Sequence, residues 1–264
     1  MISKVICVCC IRDVAIWKIS SEYIIRNIDA ESYEVIVPDA DVDLFRKVTL
    51  NKFMVTEESK YLEHRNISWL KSKFPQNLKF RAGWYLQQFV KIQALRAGDG
   101  VVNLVWDADT VPLKELNFID SDEKLIYYKS EEYHVAYFSM IKRLIGFDKI
   151  VDFSFIAQCF AAKSAWVNNF CLEIEEIYGV NWIEAVVNNL DFTEGCGFSE
   201  YESLGTYFSH KYTEQMLLNS SAWQRFGNSL IGNINNLTHE NELILAEKYD
   251  FISFESWDDG RFEA

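Results

Sequence analysis

Asp107 and Asp109 stand two residues apart, directly after the apolar run Val101–Trp106, which only Asn103 interrupts. Two carboxylates at that spacing converge on one divalent cation, Mn²⁺ or Mg²⁺, because such ions prefer hard oxygen ligands. A cation held there bridges two phosphates and neutralises the charge on a departing diphosphate. Solvated loop acids seldom lie between two buried-looking runs, yet VVNLVW precedes this pair and Val111-Pro112-Leu113 follows it. In an open α/β sheet, ligands bind outside the carboxyl ends of the strands, which is where a pair in this position falls.

Other residues are candidates on spacing alone. Gly83-Trp84-Tyr85-Leu86-Gln87-Gln88 opens a helical stretch. Trp84 and Tyr85 read as core packing or as stacking platforms. Gln87 and Gln88 cannot both point inward from a helix, so at most one meets a ligand. Lys91 follows Gln87 by four residues and shares its helix face. That face presents an amide and an ammonium to a phosphate or sugar, or else to solvent. Asp13 closes the first apolar run and reads as a pocket residue or a helix N-cap. Asp39 and Asp41 could reach a ribose or base, although a solvated acidic loop is the simpler reading.

Ser199-Glu200-Tyr201-Glu202 fits a capping box. Glu202 then closes the cap on the Ser199 amide, and Glu200 is left without a structural role. Glu200 is therefore the candidate catalytic base, the alternative being a carboxylate that complements the helix dipole. Glu202 takes the catalytic role if the cap is misassigned, and Asp191 and Glu194 are reserves.

The elements that position these residues follow from hydrophobic period and breakers. Buried strands are expected at Val5–Ile11, Tyr33–Val37, Val101–Trp106, Leu125–Tyr128 and Phe153–Phe160. Helices are expected after the loop Arg12-Asp13 to about Ile28, around Leu44–Lys47, across Glu57–Phe74, and at Gly83–Arg96, Lys163–Tyr178, Asn181–Leu190 and Glu240–Lys248. Strands alternating with helices predict an α/β fold with a mostly parallel, Rossmann-type sheet covered on both faces. No linker or repeat divides the chain, so residues 1–264 read as one domain. Its two halves span about 1–115 and about 116–264.

With 26 basic and 39 acidic residues among 264, the net charge is −13. That balance speaks against nucleic acid as a partner and against direct docking on anionic lipid. The one basic-apolar stretch that could meet a membrane is Lys142–Lys149, for which a connecting surface helix is the simpler reading. The seven-residue apolar run near the N-terminus is short for a signal segment. No transmembrane segment is expected, and the six cysteines lack ligand or disulfide spacing. A cytoplasmic protein is expected, at most peripheral at the inner face of the membrane.

Taken together, GWYLQQ, the strand followed by DADT, and SEYE resemble, in this order, a group of bacterial GT-A glycosyltransferase-like proteins found with surface-polysaccharide genes. The resemblance spans about residues 4–210. It implies a GT-A fold and a metal-dependent transfer from a nucleotide-diphosphate sugar to a glycan or lipid-linked acceptor. It also implies that Asp107 and Asp109 hold the metal, with Asp107 near the donor, and that Asp13, Trp84, Gln87 and Lys91 line the donor pocket. Many such enzymes complete the metal shell with a late histidine, which makes His210 the candidate third ligand. The alternatives are a nucleotidyl or phosphoryl transferase using the same carboxylates, and a non-catalytic glycan-binding assembly subunit.

Overall fold

A computed structural model gives the structure of residues 1–193 and 197–255. The strands among the described residues are β1 (Ile2–Val8), β2 (Ala30–Val37), β3 (Phe53–Glu57), β4 (Val102–Trp106), β5 (Thr110–Pro112), β6 (Leu125–Tyr127), β7 (Cys159–Lys163), β8 (Met216–Leu218) and β9 (Phe251–Ser253). The helices are α1 (Val14–Asn27), α2 (Val42–Val48), α3 (Ser59–Leu62), α4 (Ile67–Lys73), α5 (Ala82–Leu95), α6 (Val135–Ile145), α7 (Ser164–Tyr178), α8 (Trp182–Asn189), α9 (Glu200–Lys211), α10 (Gly227–Ile231) and α11 (His239–Ala246).

The central sheet runs β3-β2-β1-β4-β7. Its first four strands pair in parallel and β7 is antiparallel to β4. Side chains alternate between two cores, as the strand period of two requires. Val5 and Cys7 of β1 join Trp17, Trp106 and Phe251 on one face. Ile6 joins Phe89, Val105 and Phe160 on the other. With both faces covered, β1 from Val5 onward and β4 read as near-continuous apolar runs. The lone polar residue of β4 is Asn103, whose side-chain amide donates to the Leu95 and Ala97 carbonyls and so fastens the end of α5.

Several expected elements are displaced. β1 ends at Val8 because Ile11–Asp13 form a 3₁₀ turn before α1. The stretch expected as one helix over Glu57–Phe74 begins as the last residue of β3. It then breaks at Glu63, whose φ is 53°, and restarts where Asn66 caps α4 by accepting from the Ser68 and Trp69 amides. The strand expected at Phe153–Phe160 starts only at Cys159. Ahead of it, the Ser154 hydroxyl and the Phe155 amide both donate to the Glu202 carboxylate, and that holds the segment as a loop.

Helix α9 brings the second half of the chain onto the sheet, and Gly205 sets its approach. A Cβ there would lie 2.1 Å from the Phe155 ring. Alanine is the better helix former, yet Gly205→Ala should destabilise the protein by about 1–3 kcal/mol through overpacking. Urea unfolding reads this directly, and an unchanged midpoint would contradict the packing.

Candidate active site

A cleft of about 800 Å³ opens at the carboxyl ends of β1 and β4. Val8 and Asp13 enter it from the end of β1, and Asp107, Ala108 and Asp109 from the end of β4. Helix α5 contributes Trp84, Gln87 and Lys91, and the start of α9 contributes Glu200 and Tyr201.

The Asp107–Thr110 turn is fixed through its backbone. The Asp107 amide donates to the Gln158 carbonyl at 2.8 Å, and the Phe254 amide donates to the Asp109 carbonyl at 2.8 Å. The Ser20 hydroxyl donates to the Ala108 carbonyl at 2.6 Å, and the Trp106 indole to the Thr110 carbonyl at 2.8 Å. Pairing of β5 with β9 secures the outgoing side of the turn.

At the centre sits the Lys91 ammonium, 2.7 Å from Asp107 Oδ1 and 2.7 Å from Glu200 Oε1. It also donates to the Tyr201 hydroxyl at 3.2 Å, while that hydroxyl donates to Asp107 Oδ1 at 2.5 Å. Burial disfavours the ammonium, but Asp107 and Glu200 more than offset it and raise its pKa, so Lys91 stays a cation. Burial raises the Glu200 pKa, with Lys91 pulling it down and Asp107 pushing it up. Asp109 is pushed up to about 8, first by burial and then by the negative charges of Asp107, Glu255 and Asp13.

Among the described residues Asp109 receives only long hydroxyl hydrogen bonds, from Thr110 at 3.3 Å and Ser253 at 3.4 Å. A half-buried, weakly bonded carboxyl beside a second carboxylate is a donor set that suits a hard divalent cation. Among the described residues no cluster of three or more His, Cys, Asp or Glu residues could hold a metal. Two carboxylates completed by water and substrate phosphates is, however, a common way to bind Mg²⁺.

The expected residues divide clearly. Asp13, Trp84, Gln87, Lys91, Asp107, Asp109 and Glu200 come together in the cleft. Asp13 precedes α1 without a side-chain capping bond, so its carboxylate is left to face the cleft. Gln87 lines the cleft, while Gln88 turns away and accepts the Glu200 amide at 3.0 Å. His210 is not brought to the carboxylates. It is exposed at the other end of α9, roughly 15 Å along the helix axis from Glu200. Its ring stacks on Phe147 at 4.4 Å, and its Nε2 lies 2.7 Å from the Asp148 carbonyl.

Only half of the expected capping box forms. Ser199 accepts the Glu202 amide at 3.3 Å. The Glu202 carboxylate turns instead to Lys149 at 2.9 Å, Ser154 and the Phe155 amide, away from the cleft. Asp191 is exposed and caps Thr193. Asp39 accepts from Ser59 outside the cleft, and Glu194 lies outside the described residues. Sequence reasoning gave no role to Tyr201, Glu58, Gln158, Arg225 or Glu255, all of which line the cleft. Tyr201 stood inside the SEYE signal; the others carried none.

Residues 18–262 match the model of a family of unknown function, DUF6492. The chain belongs to that family. No curated protein matches it. Among solved structures it is similar to the galactosyltransferase LgtC in complex with donor and acceptor sugar analogs, at 11% identity and a TM-score of 0.45, covering 95% of this chain and 86% of LgtC. It is also similar to the bifunctional glycosyltransferase WbbM, at 11% identity and a TM-score of 0.45, over 97% of this chain and 46% of WbbM. The glycosyltransferase GlyE of Streptococcus pneumoniae TIGR4 matches at 10% identity and a TM-score of 0.42, over 100% of this chain and 57% of GlyE. At those values the site has to be argued from its own residues.

Two outcomes follow from the site's charges. Lys149 and Glu202 are 6% and 2% exposed, so Glu202→Gln strands a buried ammonium and should cost about 3–5 kcal/mol in urea unfolding. A loss no larger than that of a surface ion pair would contradict the assignment. Glu58 is pushed from 4.5 up to about 7 by burial and then by Asp39 and Asp41. Its protonated form is thus favoured in the folded chain, a contribution present below 4.5 and lost as pH rises through 7. Glu58→Gln should raise Tm above pH 7 and leave it nearly unchanged below 4.5. A gain confined to low pH would reverse the sign.

Proposed function

We propose that this protein is a GT-A-type glycosyltransferase that moves a sugar from a nucleotide-diphosphate donor to a hydroxyl of a glycan or lipid-linked acceptor. The observation that carries this reading is the convergence of Asp107, Asp109, Lys91 and Glu200 in one cleft at the carboxyl ends of β1 and β4. Asp107 and Asp109 would hold Mn²⁺ or Mg²⁺, which supplies charge neutralisation to the leaving diphosphate. Lys91 holds Asp107 in place through their 2.7 Å contact. Asp13, Trp84 and Gln87 offer a carboxylate, an aromatic ring and an amide to the rest of the donor.

Glu200 is the base in this reading. Its carboxylate takes the proton of the acceptor hydroxyl as that oxygen bonds to the sugar's anomeric carbon. The bond from that carbon to the diphosphate oxygen breaks, and its electron pair leaves with the nucleotide diphosphate. A carboxylate whose pKa burial has raised is a better base than a solvated one. The order of GWYLQQ, DADT and SEYE supports a bacterial surface glycan as the acceptor class. No helix among the described residues is long and apolar enough to cross a membrane.

The test is a panel of nucleotide-diphosphate sugars assayed with Mn²⁺ and with EDTA. Release of nucleotide diphosphate from at least one sugar nucleotide, abolished by EDTA, is expected. Turnover of nucleoside triphosphates alone would favour phosphoryl or nucleotidyl transfer, and binding without turnover would favour a glycan-binding subunit. Glu200→Gln should lower turnover by about 10²–10⁴ with donor affinity kept. Asp109→Asn should weaken Mn²⁺ binding in calorimetry, and unaltered binding would remove Asp109 from the metal site.

A further inference from the structure

Although the whole chain is strongly acidic, its charge is unevenly distributed. Between Glu63 and Asp99 there is no Asp or Glu, while Arg65, Lys71, Lys73, Lys79, Arg81, Lys91 and Arg96 all fall there. Three of these are engaged elsewhere in the fold. Arg65 pairs with Glu63 and Glu184, Lys91 with Asp107 and Glu200, and Arg96 bonds Gln93 and Asn168. The other four, Lys71, Lys73, Lys79 and Arg81, have no carboxylate within ion-pair distance among the described residues. They sit on one corner, made by α4 and the 3₁₀ turn Gln76–Arg81.

Phe80 stands out from that corner. It is 76% exposed, and among the exposed hydrophobic side chains of the described residues only Met1, at 79%, is more so. The Arg81 guanidinium lies 5.7 Å from its ring centre. The neighbouring tip residues Pro75, Gln76 and Asn77 are exposed as well. An aromatic ring left in water among unpaired cations matches the chemistry of an anionic membrane interface. There aromatic rings settle at headgroup depth, and each nearby cation strengthens binding about fivefold. The net charge does not forbid this contact, because charges further away than about 8 Å are screened at physiological salt.

The stretch Lys142–Lys149 offers no such face. Lys142 pairs with Asp148, Arg143 donates to the Asn189 carbonyl, and Lys149 is buried against Glu202.

We propose that the corner formed by α4 and Gln76–Arg81 docks on an anionic lipid surface, with Phe80 inserted among the headgroups and Lys71, Lys73, Lys79 and Arg81 on their phosphates. Lys71, Lys79, Phe80 and Arg81 also rim the cleft, so docking sets its mouth at the membrane surface. The proposal stands independently of the chemistry in the cleft.

Co-sedimentation of the full chain with vesicles tests it. One set is phosphatidylcholine alone, and the other is two parts phosphatidylcholine to one part phosphatidylglycerol, each at low and at physiological salt. The expected result is binding to the phosphatidylglycerol vesicles only, weakened by salt. Phe80→Ser should reduce it about tenfold and Lys73→Glu at least about fivefold. Both residues are exposed, so an unchanged Tm verifies the fold of each variant, and Lys142→Glu should bind like the unsubstituted chain. Failure of the unsubstituted chain to bind phosphatidylglycerol vesicles at low salt overturns the proposal. So does vesicle binding that survives Phe80→Ser, and if that variant instead loses nucleotide-diphosphate affinity, the corner belongs to the cleft.

Discussion

A single buried ammonium organises the middle of this protein. Lys91 of α5 lies between Asp107, at the end of β4, and Glu200, at the start of α9. Removing such a charge from water costs several kcal/mol unless its partners are close and well aimed. That requirement ties three elements far apart in sequence to one geometry. Neighbouring bonds repeat the tie: Gln88 accepts the Glu200 amide and the Tyr85 hydroxyl accepts the Gly197 amide. The groups facing the cleft are therefore ordered before any ligand arrives, which is the condition for electrostatic stabilisation of a transition state.

One cation does not balance the carboxylates gathered around it. Asp107 and Glu200 share Lys91, while Asp109, half-buried, has only long hydroxyl contacts among the described residues and a pKa pushed up to about 8. The part of the cleft around Asp107, Asp109 and Glu200 is thus short of positive charge, a state that a divalent cation would relieve. The surrounding fold holds these groups in place. The Asp107–Thr110 turn is held by Ser20, Trp106, Gln158 and Phe254. Helix α9 is held by the fit of Gly205 under Phe155 and by Glu202 bound to the 149–155 loop.

How much of this was legible in the sequence depended on whether the cause was local. The parallel sheet was legible because β1, β2 and β4 are buried on both faces and so read as apolar runs. β3 was not, because FMVTE is short and leads directly into polar helical residues. The DxD pair could be placed because a strand ends beside it, and Glu200 could be singled out because Ser199 caps α9. The same spacing misdirected Glu202, since a capping box and a buried long-range ion pair share the S-x-x-E pattern. His210 looked near Glu200 along the chain, but the intervening helix carries it to the opposite end. Basic patches are hard to read for a related reason: the sequence does not tell which cations find carboxylates in the fold. Lys142 and Lys149 do, whereas Lys71, Lys73, Lys79 and Arg81 find none among the described residues.

The central claim is that Lys91 and Glu200 act as one buried unit. A double-mutant cycle of Lys91→Met, Glu200→Gln and the double variant, read by urea unfolding, addresses it most directly. The account predicts strong non-additivity, on the order of 1–3 kcal/mol, because either single change leaves the other partner buried without its charge. Unfolding free energies that add to within about 0.3–0.5 kcal/mol, as for distant independent sites, would contradict it.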